Sequence, residues 1–444
     1  MQLDARLKQL LDSKGFCLAM LCCVIGYILF KRSYRDVGDI FQSIFMLASI
    51  CALYVERKQF WKDKMLWALL FAVVVQVLSW VNSRVDIPEL ANSTPHIGAL
   101  ADLFFFIFMA YWLKGSINNV YLAWWAMCLG ILLAFYSHSD ILQQIEMGLK
   151  GIRIDFNIIN AQYPAMYSGV GFLLSSFFLM KYACLSIKEK GLKNITLFIS
   201  ALLLFVAFTF VVITTQSRQV WVALLAAYVV GTILYAILHK EKLNKLILAG
   251  AFSLVGFAFY TYASVPLVHE RVQKEMGTAT SILTNGDMSK IPFNSAGTRL
   301  HLWSEALKWV KERPILGSGY NSRVKVIQLA EHFPANIKQH FTHLHSSHIE
   351  LLVSYGIVGL LLMYFVFTWV IRASMYAPEK RGVNEVLLIS LMFTMYWLTV
   401  NLFESFFFSN NGQWIHNVML GSCYTFFLTY KLSGSRTKEQ TAND

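Results

Sequence analysis

The chain has 444 residues, of which 56% are hydrophobic and only 14% charged, and its formal net charge is +12. A soluble domain carries about 25% charged residues, so a deficit of this size, together with a mean hydropathy of +0.51, excludes an ordinary soluble fold and fits a lipid-facing one. Most of the positive excess sits in short loops between apolar runs, where it sets membrane orientation, so no nucleic-acid partner is expected.

In chain order, runs long enough to span a bilayer, which takes about 20 apolar residues, cover 15–31, 37–55, 65–82, 98–113, 120–137, 166–185, 195–214, 219–238, 246–265, 349–371, 386–408 and 412–430. The expected fold is an all-α polytopic membrane protein of about twelve transmembrane helices. Residues 1–265 hold helices one to nine, 266–348 form a large, partly helical external loop, 349–430 hold helices ten to twelve, and 431–444 are a tail. The first 14 residues show no cleavage signature, so the run after them is expected to be a retained helix. The seven cysteines lie in or beside apolar runs and offer neither a disulfide framework nor metal-ligand spacing.

Loop charge orients the chain. Loops 56–64, 186–194 and 239–245 and the tail are rich in lysine and arginine, which predicts both termini in the cytoplasm and residues 266–348 outside. Lys31, Arg32 and Arg35 dissent, falling on the outer side with only Asp36 to offset them. A loop of 83 residues (266–348) is too long for a plain connector. Leu300, Trp303, Leu307 and Val310 predict an amphipathic helix over 299–310, with Pro314, Gly317 and Gly319 ending it in a turn. A second outer loop, 138–165, carries Lys150 and Arg153.

Three features bear on chemistry. Arg218 lies at an outer junction between two apolar runs, Arg299 opens the loop helix, and His340, His343, His345 and His348 precede helix ten. A guanidinium offers a permanent charge and a planar fork that fits phosphate oxygens, and histidine can take a proton near neutral pH. This combination suits a diphosphate-linked lipid. Equally, interfacial arginines anchor helices, loop histidines are commonly solvated, and the cluster has only Glu350 nearby as a further metal ligand. Asp102 and Glu404 fall within apolar runs, where carboxylates are functional candidates, and they keep a proton-coupled transporter or flippase open as an alternative.

Three segments resemble the O-antigen ligase and O-antigen polymerase superfamily of bacterial inner-membrane glycosyltransferases. Thr215-Gln216-Ser217-Arg218 is similar to that family's Ser-Arg junction. Arg299 to Trp303, followed by Pro314-Ile315-Leu316-Gly317-Ser318-Gly319, is similar to its Arg-x-x-x-Trp element and turn. His345-Ser346, followed by Gly356-Ile357-Val358-Gly359, is similar to its histidine and Gly-x-x-Gly pattern. The resemblance spans about 160–410. It implies a GT-C-like membrane enzyme in which Arg218 and Arg299 hold the diphosphate of an undecaprenyl-diphosphate-linked glycan and His345 is catalytic. Trp303, Gly319, Glu404 and Asp102 stand as possible supporting residues. The implied reaction needs no metal or cofactor, runs on the periplasmic face of the inner membrane, and serves lipopolysaccharide biosynthesis. The acceptor is lipid A-core in a ligase and a second lipid-linked repeat in a polymerase; chain size and the close histidine match favour the ligase.

Overall fold

A computed structural model describes residues 2–189, 191–238, 291–379 and 384–440. The expected helix at 246–265 lies outside these residues, as does the first part of the long loop. Every regular element among them is helical. Among the described residues, eight helices are long and apolar enough to cross a membrane, and the bent pair Arg6–Asp12 and Lys14–Phe30, broken by 61°, makes a ninth if it counts as one span. The chain is a multi-pass, all-α membrane protein.

Three of the expected spans, 98–113, 349–371 (interrupted at Gly356) and 386–408, are not continuous helices. Residues 98–113 divide into Gly98–Ala101, a 3-10 turn at Asp102–Phe104 and Phe106–Leu113. The break is filled by polar side chains of the Asn410–Gln440 helix. Asn417 donates to the Asp102 carbonyl at 2.8 Å and accepts from the Phe106 N–H at 2.9 Å. His416 bonds the Leu103 carbonyl at 3.0 Å. Backbone groups freed inside a membrane must find such partners, and this requirement makes the twelfth run polar in its first half. The run at 386–408 likewise stops early: its helix ends at Phe403, and Glu404 continues in extended conformation (φ −154°, ψ 160°).

The loops gather at two ends of the bundle. At one end the Tyr424 hydroxyl donates to Asp63 at 2.6 Å, and Tyr376 packs on Tyr430 with ring centroids 4.8 Å apart. At the other end, Ser79 and Ser83 meet the Gly319 turn, and Arg32 donates to Asn411 at 2.5 Å. Lys31, Arg32 and Arg35 therefore share the end that carries the long loop.

The described part of that loop is folded. Helices Ser295–Glu312, Ser322–Leu329 and Ala335–His340 enclose a small core of Leu302, Ala306, Val326, Ile327, Phe333 and Leu344. The buried face of the first helix carries Thr298, His301, Leu302 and Ala306, whereas Leu307 is exposed. Of the apolar stripe, Trp303 and Val310 pack against this core, whereas Leu300 is half-buried and Leu307 exposed. In a membrane protein an apolar stripe can face lipid or a cavity as well as protein.

Candidate active site

Two sequence motifs form one structural unit. The Ser347–Ser374 helix is interrupted at Gly356, whose φ of 63° and ψ of −165° are non-helical. The Pro314–Gly319 turn docks into the interruption. Ser318 N–H donates to the Val353 carbonyl at 2.8 Å, Gly319 N–H to Ser354 at 3.0 Å, and Ile357 N–H to Pro314 at 2.8 Å. A side chain at Gly356 would place its Cβ 2.1 Å from the Ile315 carbonyl oxygen, and positive φ already favours glycine. The Gly-x-x-Gly pattern thus seats the loop on the bundle. Gly319, which also takes the Ser79 hydroxyl as acceptor at 3.1 Å, belongs to this seat.

The seat presents the segment Leu344–Ser346. Trp303 donates its indole N–H to the Leu344 carbonyl at 2.9 Å. The Leu344 N–H donates to Glu350 Oε1 at 2.7 Å, and the Ser405 hydroxyl donates to the same oxygen, also at 2.7 Å. Fully buried Glu350 is balanced by Arg323 at 3.2 Å. One carboxylate therefore ties the residue before His345 to the residue after Glu404. Between these ties, His345 Nδ1 lies 3.0 Å from Glu404 Oε1. His345 itself sits at φ 51°, a left-handed conformation costing about 1–3 kcal/mol for a non-glycine residue, of the kind that clusters at functional sites.

Glu404 is buried. Burial works against its charge, yet the hydrogen bond from His345 and the positive fields of the histidines and Arg299 hold its carboxyl below the ordinary range. An ionised Glu404 accepts a hydrogen bond from Nδ1–H, which turns the Nε2 lone pair of the imidazole outward to take a proton. His343 Nδ1 lies 3.6 Å from the same carboxylate. Burial, then the charge of His345, pushes its basicity down. The ligand atoms of His343, His345 and Glu404 all lie within 4.8 Å of one another, close enough to hold a metal ion. The other two histidines turn elsewhere. His340 bonds the Asn336 carbonyl, and both ring nitrogens of His348 are taken, by the Leu398 carbonyl and the Tyr364 hydroxyl, each at 3.0 Å.

Beside this pair lies a cavity of about 390 Å³ bordered by Arg153, Arg218 and Arg299, with Trp303 and Phe403 on its wall. Its Arg218 corner is stitched together from two loops. Arg153 Nε donates to the Thr215 carbonyl at 2.9 Å, Gln216 donates to Gly151 at 3.0 Å, and Ser217 donates to Gln162 at 2.7 Å. Gln216, like His345, has φ 51°. The starts of two helices, Arg218–Leu238 and Ser295–Glu312, border the same space, adding their N–H groups and dipoles to three guanidinium charges. Such a cavity suits an anion. Burial lowers the Arg299 basicity and the Glu404 charge partly restores it; its Nε is buried without a hydrogen-bond partner among the described residues.

The structure thus gathers Arg218, Arg299, Trp303, His345 and Glu404 into one region and adds Arg153 and Glu350. Asp102 is not among them; its side chain borders a different pocket, with Arg32 and Asn417.

Residues 203–364 match the O-antigen ligase family. An uncharacterized protein of Haemophilus influenzae is 24% identical over 224 residues, which cover 48% of this chain and 54% of the relative. The match spans about half the length of that relative. The matched family segment runs from the helix before Arg218 to the second glycine of the seat and beyond it, and so includes Arg218, Arg299 and His345. The chain carries a domain of the O-antigen ligase family.

Proposed function

We propose that the protein is a glycosyltransferase that moves a glycan from undecaprenyl diphosphate to an outer-core sugar of lipid A-core, acting without a metal. The observation that carries this reading is the His345–Glu404 pair beside a cavity bordered by three arginines. The diphosphate is held by Arg218 and Arg299, with Arg153 beside them, so that the anomeric carbon of the donor sugar faces His345. Nε2 takes the proton of the acceptor hydroxyl as the acceptor oxygen bonds to the anomeric carbon. The bond from that carbon to the phosphate oxygen breaks, and its electron pair leaves with undecaprenyl diphosphate, whose charge the arginines balance. Glu404 steadies the imidazolium that forms. General-base help of this kind is worth about 10²–10⁴ in rate.

The same reading places the long loop in the periplasm, both termini in the cytoplasm and about twelve helices in a GT-C-like arrangement in the bacterial inner membrane. Two features support this orientation: the lysine-rich loop 56–64 lies at the end away from the site, and a lipid diphosphate headgroup must sit at a membrane surface. An impermeant thiol reagent applied to intact cells is expected to label a cysteine placed at exposed Glu331. Labelling only after the inner membrane is opened would reverse the orientation.

The function is tested by offering purified protein one undecaprenyl-diphosphate-linked glycan and two acceptors, lipid A-core and a second lipid-linked repeat, with and without EDTA. Product on lipid A-core that is unaffected by EDTA is expected. Product on the second repeat would make the protein a polymerase. Loss with EDTA would turn His343, His345 and Glu404 into metal ligands.

A further inference from the structure

The bundle end that carries the candidate active site holds a second polar pocket, of about 210 Å³, that the proposed chemistry does not use. Lys31, Arg32 and Arg35 line it, with Asn410 and Gln413 from the start of the last helix and one carboxylate, Asp102. These are the basic residues whose outer location contradicts the loop-charge rule. A cluster of cations retained on the side where that rule disfavours it calls for another reason than topology.

The surroundings supply one. Asp39 pairs with Lys31 and lies 3.6 Å from Arg35, where solvent weakens the second contact, since Arg35 is 75% exposed. Arg32 is fixed by Asn411 at 2.5 Å, and its Nε is buried with no hydrogen-bond partner among the described residues. Three cations set against Asp39 and the lining carboxylate Asp102 still leave a net positive charge, carried by Arg32 and exposed Arg35. Its amide side chains can also donate to oxygen anions.

The pocket is separated from the arginine cavity by one wall. Gln162, at the start of the Gln162–Lys188 helix, borders the arginine cavity. The adjacent Tyr163 packs on Phe406 with ring centroids 5.5 Å apart, and Tyr167, one turn deeper, packs on Trp414 at 5.8 Å. Trp414 borders the second pocket. Glu404 and the turn after it run along this same wall. Two cation-rich hollows thus flank the stretch that holds the proposed base pair.

We infer that the Lys31–Arg32–Arg35 pocket binds a phosphate group of the acceptor glycolipid, opposite the donor diphosphate, and so positions the acceptor hydroxyl toward His345. This rests on the glycosyltransferase reading for the word acceptor, but the anion site itself does not.

The test has a binding arm and a kinetic arm, both on the full chain in lipid nanodiscs. Binding compares lipid A with its enzymatically dephosphorylated form and with inorganic phosphate. The parent is expected to prefer phosphorylated lipid A by about tenfold or more, equivalent to one charge-assisted contact. Arg35→Gln, at an exposed position that leaves the fold undisturbed, and Arg32→Gln should each bring that preference toward one. In the transfer assay Arg35→Gln should raise the acceptor KM by about tenfold while the donor KM holds. An unchanged lipid preference in both variants overturns the inference, as does inorganic phosphate binding that both substitutions abolish while neither alters lipid A binding. A parent that transfers nothing overturns the glycosyltransferase reading instead, and the binding arm still decides the pocket.

Discussion

His345 Nδ1 and Glu404 Oε1 lie 3.0 Å apart although 59 residues separate them in the chain. The contact joins the end of the long loop to the end of a membrane helix. Glu350 bridges the neighbours of both, so the pair is held from behind rather than meeting by chance of side-chain flexibility.

The charge on Glu404 should contribute to stability in a pH-dependent way. Its folded carboxyl is held below the ordinary value, so the contribution is complete above the unfolded value of about 4.3 and is lost as pH falls through the lower folded one. Glu404→Gln should therefore unfold at lower temperature than the parent at pH 7, and the gap should shrink in acid. Thermal unfolding in detergent at both pH values measures this; a gap that is constant or widens in acid would show that Glu404 is not held ionised.

Arg218 and Arg299 are predicted to act through paired contacts to the diphosphate. Lysine keeps the charge but loses the planar fork. Arg218→Lys and Arg299→Lys should each weaken donor binding by about tenfold or more with the protein still inserted and folded. Donor affinity and turnover equal to the parent in both variants would remove the arginines from the diphosphate site.

Gly356 should be intolerant of any side chain. Alanine there brings its Cβ against the Ile315 carbonyl and adopts positive φ, a strain of about 1–3 kcal/mol before any shift of the turn is counted. Gly356→Ala is expected to lower the unfolding temperature and to abolish transfer together. A stable, active Gly356→Ala protein would show that the turn does not seat the loop.

Trp303 is predicted to position rather than react. Trp303→Phe keeps an aromatic ring, though a smaller one, and removes the N–H that holds the Leu344 carbonyl, a hydrogen bond worth about 0.5–1.5 kcal/mol net. Turnover should fall several-fold while donor affinity and the unfolding temperature change little. A variant that loses donor binding in step with turnover would make Trp303 part of the donor site.

Apolar run length made most of the membrane helices readable from sequence, because bilayer thickness imposes it residue by residue. The order of Arg218, Arg299 and His345 pointed to their shared region for a different reason, the resemblance of their flanking segments to a known superfamily. What resisted was pairing across distance. Glu404 read as an intramembrane carboxylate because its run continues to Phe408, and nothing local marks the helix end at Phe403. Gly356 read only as one end of a Gly-x-x-Gly pattern, because its partner, the Pro314–Gly319 turn, lies far upstream in the chain. Arg153 stood out only as a loop charge; the hydrogen bonds to Thr215 and Gly151 that bring its loop against Arg218 leave no periodic trace. In the 295–312 helix, hydropathy does not separate core-packed Trp303 and Val310 from Leu300 at the cavity and exposed Leu307.

The central claim is that His345 is the base, and one substitution tests it most directly. Transfer of labelled glycan at saturating donor and acceptor, measured beside donor affinity, compares His345→Ala with the parent. The account predicts a turnover lower by about 10²-fold or more, with membrane insertion and donor affinity retained, and milder losses for His343→Ala and His348→Ala. Near-parent turnover of His345→Ala at saturation would contradict it.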